Sequence, residues 1–496
     1  MNCLMGIDIG TSSLKTTVIN ETGEILAVSS KAYTFESPEL GYAEQNPDDW
    51  WAALVHTVRE NLKTESFDAS DIKGIGFSGQ MHGMIPLDSS ADVLFKSILH
   101  CDMRSSKQAE QVKAIVKDTH FQKKLFNPVF PGMQLISLLW LKEEYPEIYH
   151  NINYVLCPKD YIRYKLTGEI ATERTDAAAT LAYDVKQQTW CTDFLREIGI
   201  DEHIFPDPDH VPYEISGFLQ KEVSEELGLV EGIPVVYGGG DQSMQSIGNG
   251  LYKAGDRMLT IGTSGQIIHL TDSPKFNPKL NTQTYTHVLP DVWFSMAAIL
   301  SAGSTLTWFR NTFLPDASYT DLSNMAATVP IASEGILFFP AMMGERTPHL
   351  DPMTRGVFQG FSFKHKKEHF VRAILEGVCF EMKEGLGILD ELYGKTETLL
   401  VSGGITNSPV WLEILSNILN VKVQVNSQAE QACIGAAMMA GVGCGIFSSV
   451  EEAVHAILTK KEGQIIEPDP NKAKIYQQVY EEKYSRLYEQ NKIFFN

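Results

Sequence analysis

The amino-acid sequence predicts an α/β protein built from two similar lobes that face each other across a cleft. The chain has 496 residues, of which 43 % are hydrophobic, and this is enough for two large domains with separate cores. The tetrapeptide Ile-Gly-Thr-Ser occurs twice, at residues 9–12 and 261–264, each time between β-rich runs. These observations predict a duplicated fold, with one lobe over residues 1–248 and the other over residues 249–496.

The first β-rich segment, MGIDIGTSSLKTTVINETGEI, predicts a three-stranded meander with a turn at Asn-Glu-Thr-Gly. A strand follows its first loop, which excludes the Walker and dinucleotide fingerprints because both need a helix there. The loop Gly10-Thr11-Ser12-Ser13 instead offers backbone N–H groups and hydroxyls to phosphate oxygens. Asp8, two residues before the loop begins, can hold Mg²⁺ through water. A polar hairpin turn without a ligand is the alternative interpretation.

The second copy of the loop, Gly262-Thr263-Ser264, differs from the first at one informative position. Thr260 stands where the first copy has Asp8. This difference is expected if one loop serves a metal ion and phosphate while the other binds phosphate alone. The asymmetry favours a functional site, with one phosphate loop facing the cleft from each lobe, over two surface turns.

An aspartate follows three glycines in the segment VVYGGGDQSMQSIGNG. Asp241 comes after an apolar strand at residues 233–237 and before a helical pattern that begins at Gln242, so it lies at or near a helix N-cap. A cap does not need three preceding glycines, which allow backbones to approach closely. Because an aspartate within reach of a hydroxyl can accept its proton, Asp241 is a candidate general base. A structural cap is the alternative.

The segment GFSGQMHGM places Met81 and His82 between glycines, directly after the predicted strand IKGIGFS. Ligands bind at strand ends in α/β proteins, so this pair is a candidate wall of a substrate pocket. A lone histidine at such a position is more often structural, and that interpretation stays open.

Two segments of the second half predict loops near a ligand. LLVSGGITNSPVWLEILSNIL predicts a strand, a Gly403-Gly404 turn and a helix opened by Ser408 and Pro409, and a flat ring can lie on the bare backbone of the two glycines. FFPAMMGERTPHLDP contains prolines that fix a loop. Within it, Arg346 either neutralises phosphate charge or serves the structure of the lobe.

The chain resembles the FGGY carbohydrate kinases, a family with the actin-like ATPase fold. The segment GVFQGFSFKHKKEHFVRAILEG fits the long family signature, which ends at Glu376. Other motifs resemble bacterial xylulose kinases in particular, and they occur in the same order along the chain: AEQNPDDWW, GFSGQMHGMIPLD, LCPKDYIRYKLTGEIATERTDAAAT, GGGDQ, TIGTSG and GERTPHLDP.

This resemblance implies two actin-like, ribonuclease H-like lobes, each with a mixed five-stranded sheet flanked by helices, and a hinge near Gly248 and Gly250. It implies ATP- and Mg²⁺-dependent phosphorylation of a sugar hydroxyl, with D-xylulose converted to D-xylulose 5-phosphate. The implied residue roles follow the motifs: the general base at Asp241; the sugar pocket at Met81, His82, Asp241 and Gln242; the nucleotide site at Gly10, Thr11, Ser12, Gly262, Thr263, Ser264, Gly403, Gly404 and Asn407; the metal site at Asp8 and Asp241.

Two departures from the xylulose kinases leave the exact sugar open. Gln242 stands where those kinases commonly have asparagine, and HCDMR at residues 100–104 stands where Trp-Asn-Asp is common. An amide that reaches one methylene further matches different hydroxyls, so another ketopentose, a pentitol or a related sugar is the alternative substrate. In the second segment, Asp102 and Arg104 either pair with each other or contact the substrate.

Two other classes of protein share the expected fold. A chaperone or filament would hydrolyse ATP without a sugar, but it would need a peptide-binding or polymerisation segment for which no residues remain. A sugar-sensing regulator would bind without turnover and would be expected to lack Asp241. The presence of both Asp8 and Asp241 favours the kinase.

Composition restricts the partners further. The net charge of −21 disfavours nucleic acid and anionic membranes and favours small molecules. The seven cysteines are scattered without a Cys-x-x-Cys pair, which predicts reduced thiols and neither disulfides nor zinc. The absence of a signal peptide or membrane span predicts a cytoplasmic protein, and a homodimer is common in the family. An amphipathic helix over residues 471–494 is expected to pack across the back of the lobes.

Overall fold

A computed structural model describes residues 1–117, 119–426, 428–458 and 463–495. Two large sheets dominate it. The strands of the first sheet are, in spatial order, Ile215–Phe218, Pro234–Val236, Ile72–Gly79, Cys3–Ile9, Ser13–Asn20 and Ile25–Ala32, with Gly239–Gly240 also paired to Ile72–Gly79. The strands of the second sheet are Gln283–Thr286, Trp293–Ile299, Gly265–Thr271, Arg257–Ile261, Thr398–Gly403, Lys422–Val425 and Ile465–Ile466.

The two sheets are built on the same plan, which explains the repeated tetrapeptide. In each, an antiparallel three-stranded meander joins two further strands that run parallel to its first strand. The register of the first strands also corresponds: Asp8 pairs with Ser78, and Thr260 pairs with Ser402. The duplication inferred from sequence is therefore present in the sheet topology, with Thr260 at the position equivalent to Asp8.

The expected number of five strands in each lobe's sheet is wrong, because each of the two large sheets has seven described strands. Five strands form the shared plan, and short strands extend it. Ile215–Phe218 and Gly239–Gly240 extend the first sheet, whereas Gln283–Thr286 and Ile465–Ile466 extend the second. Such two- to four-residue strands are too short to show periodicity in the sequence.

Helices cover both sheets and the connections. The α-helices are Pro47–Asn61, Ser106–Val116, Gln122–Leu125, Gln134–Glu144, Pro146–Tyr149, Pro158–Thr167, Arg174–Ala179, Thr192–Glu197, Lys221–Leu227, Asp241–Gly248, Gly303–Phe313, Tyr319–Ala327, Lys367–Tyr393, Pro409–Leu419, Gln431–Gly443, Val450–Leu458, Pro470–Glu482 and Leu487–Asn491. The remaining strands form four two-stranded sheets: Glu44–Gln45 with Ser97–Ile98, Ile85–Leu87 with Tyr154–Leu156, Tyr183–Asp184 with Thr189–Trp190, and Leu337–Phe339 with Val357–Gln359.

One helix from the second half of the chain covers the first sheet. Helix Gln431–Gly443 packs against strands Cys3–Ile9 and Ile72–Gly79. Glycines in these strands make the close approach possible: a Cβ added at Gly6 would lie 1.8 Å from the carbonyl oxygen of Cys433. The first lobe is thus completed by a helix that lies, in the sequence, between the last two strands of the second sheet.

Gly248, expected near a hinge, is the last residue of helix Asp241–Gly248. This helix packs against helix Gln431–Gly443, and a Cβ at Gly248 would lie 1.8 Å from the carbonyl oxygen of Gln431. Close helix packing therefore accounts for the glycine. A division of the chain at this position, with a hinge, stays a prediction.

The first half also carries a large insertion between strands Ile72–Gly79 and Ile215–Phe218. It has its own hydrophobic cluster, which includes the buried residues Leu135, Trp140 and Phe194. The insertion supplies most of the helices of the first half and, as described below, one wall of the candidate substrate pocket.

The C-terminal segment packs on the long helix Lys367–Tyr393, but it is not one continuous helix as expected. Helix Pro470–Glu482 ends, and a turn of 3₁₀ helix and helix Leu487–Asn491 follow. The signature residue Glu376 fixes this segment, because its carboxylate accepts hydrogen bonds from Tyr476 Oη at 2.7 Å and Arg372 Nε at 2.8 Å.

Beside this contact lies a cluster of buried carboxyl groups. Glu345 lies close enough to Glu381 for its charge to raise the pKa of Glu381, and Tyr484 Oη donates to Glu381 Oε1 at 3.1 Å. Burial raises the pKa of Glu345 to about 8 and, together with the charge of Glu381, raises that of Glu384 to about 9. The folded protein therefore keeps protons on this cluster at neutral pH.

Replacing Glu384 should make stability less sensitive to pH. The folded pKa of Glu384 lies above its ordinary value of 4.5, so the folded state binds more protons and the free energy of unfolding falls as pH rises from about 5 to about 9. Glu384→Gln removes part of this loss, on the order of 2 kcal/mol at pH 9. Thermal midpoints between pH 5.5 and 9 test this, with exposed Glu391→Gln on the same helix as the control. Parallel pH curves for wild type and Glu384→Gln would contradict it.

All seven cysteines are free thiols, five of them buried, as expected from their scatter. Among the described residues, no helix combines the length and the apolar character that a membrane crossing requires.

Candidate active site

Two carboxylates meet where strands of the first sheet end. Asp8 is the penultimate residue of strand Cys3–Ile9, and its Oδ1 accepts a 2.7 Å hydrogen bond from Ser78 Oγ. Asp241 is the first residue of helix Asp241–Gly248. Burial raises the pKa of Asp8, and burial together with the charge of Asp8 raises the pKa of Asp241 to about 7. The two acids are therefore close enough to repel each other.

The three glycines before Asp241 have a steric role. Gly238 has a φ of 70°, and Gly239 and Gly240 pair with the end of strand Ile72–Gly79. A Cβ at Gly240 would lie 2.9 Å from Cγ of Met81. Side chains here would push Asp241 away from Met81, which explains a glycine run that a simple helix cap does not need.

The donor set of Asp8 and Asp241 fits a divalent cation. Hard cations such as Mg²⁺ bind carboxylate oxygens, often through water. Lys15, whose charge acts on Asp8, forms an ion pair with Glu430 at 3.1 Å. Within the described residues, no positive side chain forms an ion pair with Asp8 or Asp241, so their mutual repulsion is available to favour a bound metal ion.

His82 is held in one tautomer beside this centre. Its backbone has a φ of 70°, and its Nδ1 lies 2.6 Å from the carbonyl oxygen of Ala179. Since a carbonyl can only accept, Nδ1 carries the proton and Nε2 is left as an acceptor. Burial lowers the pKa of His82 to about 3, so the ring is neutral. The geometry suits recognition of a hydroxyl donor better than binding of an anion.

Gln242 presents an unsatisfied group next to the base. Its side chain hydrogen-bonds the carboxylate of Asp241, which partly offsets the rise of that pKa. Its Oε1 is buried and accepts no hydrogen bond from any described residue. Because buried polar atoms are normally paired, this oxygen is free to accept from a ligand hydroxyl.

The first hairpin loop, Gly10–Ser13, is fixed through its carbonyls. Tyr33 Oη donates to the carbonyl of Gly10 at 2.6 Å, and Gln45 Nε2 donates to that of Thr11 at 2.7 Å. Thr11 Oγ1 also contacts Gln80 Oε1 at 3.2 Å, which links the loop to the residue before Met81. Tying down the carbonyls leaves the N–H side of the loop for an anion.

The second hairpin loop, Gly262–Ser264, packs on the start of helix Gly303–Phe313. The N–H groups of Ala302 and Ser304 donate to the carbonyl of Thr263, both at 3.1 Å. A Cβ at Gly303 would lie 2.3 Å from the carbonyl oxygen of Gly262, so only glycine fits there. The loop is thereby held against the edge of a cavity.

This cavity has a volume of about 480 Å³, within the range of small-molecule sites. Of the predicted nucleotide residues, Gly262, Thr263, Gly404 and Asn407 line it, whereas Gly10, Thr11, Ser12, Ser264 and Gly403 do not. Its lining residues are Ile261, Gly262, Thr263, Gly303, Leu306, Thr307, Tyr319, Thr320, Gly404, Ile405, Asn407, Ser408 and Trp411.

A buried ionic network supports the turn before Asp241. Lys159 is fully buried and pairs with Asp160 at 2.7 Å, Asp176 at 3.1 Å and Glu173 at 3.2 Å. Glu173 accepts from Thr175 Oγ1, which in turn accepts from the N–H of Gly240 at 2.9 Å. The network therefore positions the backbone of the base. Cys157, Asp160 and Asp176 lie close together, but Lys159 already occupies the role of their counter-ion.

Asp102 and Arg104 form a structural ion pair, one of the two alternatives considered from sequence. Arg104 Nη2 contacts Asp102 Oδ2 at 2.8 Å, and its Nη1 contacts Glu44 at 2.6 Å. Asp102 also accepts from the N–H of Ala43 at 2.6 Å, and the guanidinium stacks on Tyr42. Because both side chains are paired with other groups of the protein, they are not available to bind a substrate.

Sequence reasoning missed a second wall of the pocket around His82. Phe130 and Tyr285 contact the His82 ring, with centroids 5.8 Å and 6.1 Å away. Arg346 lies over Phe130, and its charge lowers the pKa of His82 and of His100 in addition to the larger effect of burial. No local pattern marks Phe130 or Tyr285, whereas Arg346 was visible as a charge in a rigid loop.

Comparison with protein families agrees with this arrangement. Residues 3–248 match the N-terminal domain of the FGGY family of carbohydrate kinases, and residues 258–444 match its C-terminal domain. The chain therefore belongs to the FGGY family of carbohydrate kinases, and its reaction is phosphoryl transfer to a carbohydrate. The family and the actin-like fold expected from the motifs are confirmed.

Individual relatives are similar over nearly the whole chain. A xylulose kinase of Bacillus subtilis (strain 168) is 34 % identical, covering 99 % of this chain and 98 % of its own. A gluconokinase of the same organism is 30 % identical over 90 % of this chain and 89 % of its own. The crystal structure of a ligand-bound xylulose kinase from Lactobacillus acidophilus has a TM-score of 0.93 and 25 % identity, covering 99 % and 98 % of the two chains.

Proposed function

We propose that the protein phosphorylates D-xylulose at its terminal C5 hydroxyl, with ATP as phosphoryl donor and Mg²⁺ as metal ion. The observation that carries this proposal is the position of Asp241, which lies beside a second carboxylate, Asp8, and next to the unsatisfied amide of Gln242. The similarity to xylulose kinases supports the choice of sugar.

Asp241 serves as general base in this proposal. A hydroxyl within about 3 Å of its carboxylate can transfer its proton as the γ-phosphoryl group moves in line. Its raised pKa of about 7 makes it a stronger proton acceptor than an ordinary aspartate while leaving a large fraction ionised near neutral pH. Mg²⁺, held by Asp8 and Asp241, would neutralise phosphate charge when bound.

The other pocket residues bind and orient the sugar. Neutral His82 accepts a hydrogen bond from one sugar hydroxyl through Nε2, and Gln242 accepts a hydrogen bond from another through Oε1. Met81, which packs against Gly240, supplies an apolar wall. ATP is bound with its phosphates at the two hairpin loops. Its adenosine occupies the 480 Å³ cavity beside Gly404 and Asn407.

A substrate panel tests the proposal directly. ADP release is measured by a coupled assay with ketopentoses, pentitols, glycerol and gluconate as acceptors, and D-xylulose should give the highest kcat/KM. Glycerol or gluconate turned over at least as efficiently as every ketopentose would overturn the proposed substrate class. A different ketopentose at the top of the panel would correct the sugar while keeping the site, as the departure at Gln242 allows.

The metal assignment predicts unequal effects at equivalent positions of the two lobes. Asp8→Ala should raise the Mg²⁺ concentration for half-maximal turnover about 10- to 100-fold, because it removes an outer ligand. Thr260→Ala, at the matching position of the second sheet, removes only a 2.9 Å contact to Ser402 and should leave the Mg²⁺ dependence unchanged. Titrations of rate against Mg²⁺ compare the two, and equal shifts would refute the assignment.

His82→Ala should weaken sugar binding selectively. Loss of a buried hydrogen bond to a hydroxyl that does not react should raise KM for the sugar about tenfold, with KM for ATP nearly unchanged. Steady-state kinetics with each substrate varied in turn provide the measurement. His120→Ala, which alters an exposed ring in the same half of the chain, is the control. A comparable rise in both KM values would show that His82 acts through the fold.

A further inference from the structure

Arg346 is a cation without a partner. It is half-buried, and its guanidinium makes no hydrogen bond or ion pair with any described residue. The guanidinium lies over the ring of Phe130, with Cζ 4.5 Å from the ring centroid. Burial lowers its pKa, so the charge is held at a cost. Buried charges in proteins are normally paired, which makes an external acceptor the natural partner.

The loop that carries Arg346 is rigid, so its position is fixed by the fold. The N–H of Thr347 donates to the carbonyl of Ala298 at 3.2 Å, and Thr347 Oγ1 donates to the carbonyl of Asn281 at 2.8 Å. Asn281 Nδ2 in turn donates to the carbonyl of Pro348 at 2.8 Å. The guanidinium thus projects from a backbone locked to strand Trp293–Ile299 of the second sheet.

A second unsatisfied group lies beside it. Tyr285 is fully buried, its ring contacts His82 at 6.1 Å, and its hydroxyl has no hydrogen-bond partner among the described residues. Together with Gln242 Oε1, this gives three polar groups near His82 and Asp241 that lack partners among the described residues. A polyhydroxylated ligand would satisfy all three.

Arg346 and the base approach these groups through different residues. The guanidinium lies 4.5 Å from the ring of Phe130, which contacts the His82 ring at 5.8 Å. Asp241 follows Gly240, where an added Cβ would lie 2.9 Å from Met81 Cγ. Met81 and His82 therefore lie between the base and the guanidinium. A substrate with its reacting hydroxyl at Asp241 extends past His82 towards the guanidinium.

We propose that Arg346 binds the carbonyl end of the sugar and selects ketoses over polyols, with Tyr285 as a second contact. This assignment rests on the proposed function for the identity of the sugar. A guanidinium only donates hydrogen bonds and a carbonyl oxygen only accepts them, so the two can bond in any orientation of the carbonyl lone pairs. In a pentitol, a hydroxyl replaces the carbonyl and must turn its own proton away from the cation.

The test compares D-xylulose with xylitol, which differs by reduction of that carbonyl. Arg346→Met should lower kcat/KM for D-xylulose about 10- to 100-fold and change kcat/KM for xylitol much less. The ratio of kcat/KM for D-xylulose to kcat/KM for xylitol should therefore fall by a similar factor. Arg346→Lys keeps the charge and should keep part of the ratio. KM for ATP and the thermal midpoint should stay unchanged, as in the exposed control Arg486→Met.

Equal losses with both sugars, or an unchanged ratio, would overturn the assignment while leaving the proposed function intact. If Arg346→Met does not fold, the same ratio measured in Arg346→Lys and Tyr285→Phe decides the question. Wild-type protein that phosphorylates no ketopentose would overturn the proposed function, and this assignment with it.

Discussion

Asp241→Asn should lower kcat about 10²- to 10⁴-fold, the usual contribution of a positioned general base. The amide has the same shape, so it can still begin helix Asp241–Gly248 and contact Gln242. It cannot accept the hydroxyl proton. The effect should therefore fall on kcat, with little change in the binding of the nucleotide.

Stability separates this result from damage to the fold. Asn removes one of two carboxylates that repel each other, so the thermal midpoint should equal or exceed that of wild type. Asp272→Asn in an exposed loop is the control substitution. A change confined to KM, or a lower midpoint, would count against Asp241 as the base and favour a role as helix cap.

Gly6→Ala should destabilise the protein more than any surface substitution. The added Cβ would lie 1.8 Å from the carbonyl oxygen of Cys433, and a Cβ cannot rotate away as a longer side chain can. Strand Cys3–Ile9 and helix Gln431–Gly443 would have to separate, at a cost of about 3 kcal/mol or more.

The measurement is the urea midpoint, with Gly387→Ala as a matched control. Gly387 lies in helix Lys367–Tyr393, and a Cβ there would contact nothing within 4 Å. That variant should gain about 0.5–1 kcal/mol from higher helix propensity. If Gly6→Ala were as stable as Gly387→Ala, strand Cys3–Ile9 and helix Gln431–Gly443 would not be in the close contact described.

Local sequence patterns predicted the parts of the fold that depend on neighbouring residues. The repeated Ile-Gly-Thr-Ser located both meanders, and the glycine run before Asp241 correctly indicated a close approach of the chain at that turn. Ser408 and Pro409 correctly marked the start of helix Pro409–Leu419.

Contacts between distant segments could not be predicted in this way. Tyr285 lies on a strand whose residues are all buried, so nothing in its surroundings singles it out before His82 is placed beside it. Arg346 was noticed for its charge, but its role depends on Phe130, more than two hundred residues earlier in the chain. The number of strands was predicted wrongly for a similar reason, since the added short strands are defined by the strands they pair with.

The helix that covers the first sheet also sets the order of events during synthesis. Strands Cys3–Ile9 and Ile72–Gly79 emerge from the ribosome roughly 350 residues before helix Gln431–Gly443. At roughly 5–20 residues per second, that interval is about 20–70 s. Throughout it, one face of the nascent sheet lacks this covering helix, and the exposed part is open to chaperones and to other nascent chains. The N-terminal half expressed alone should stay in that condition and aggregate, and co-expression of the C-terminal half should rescue it.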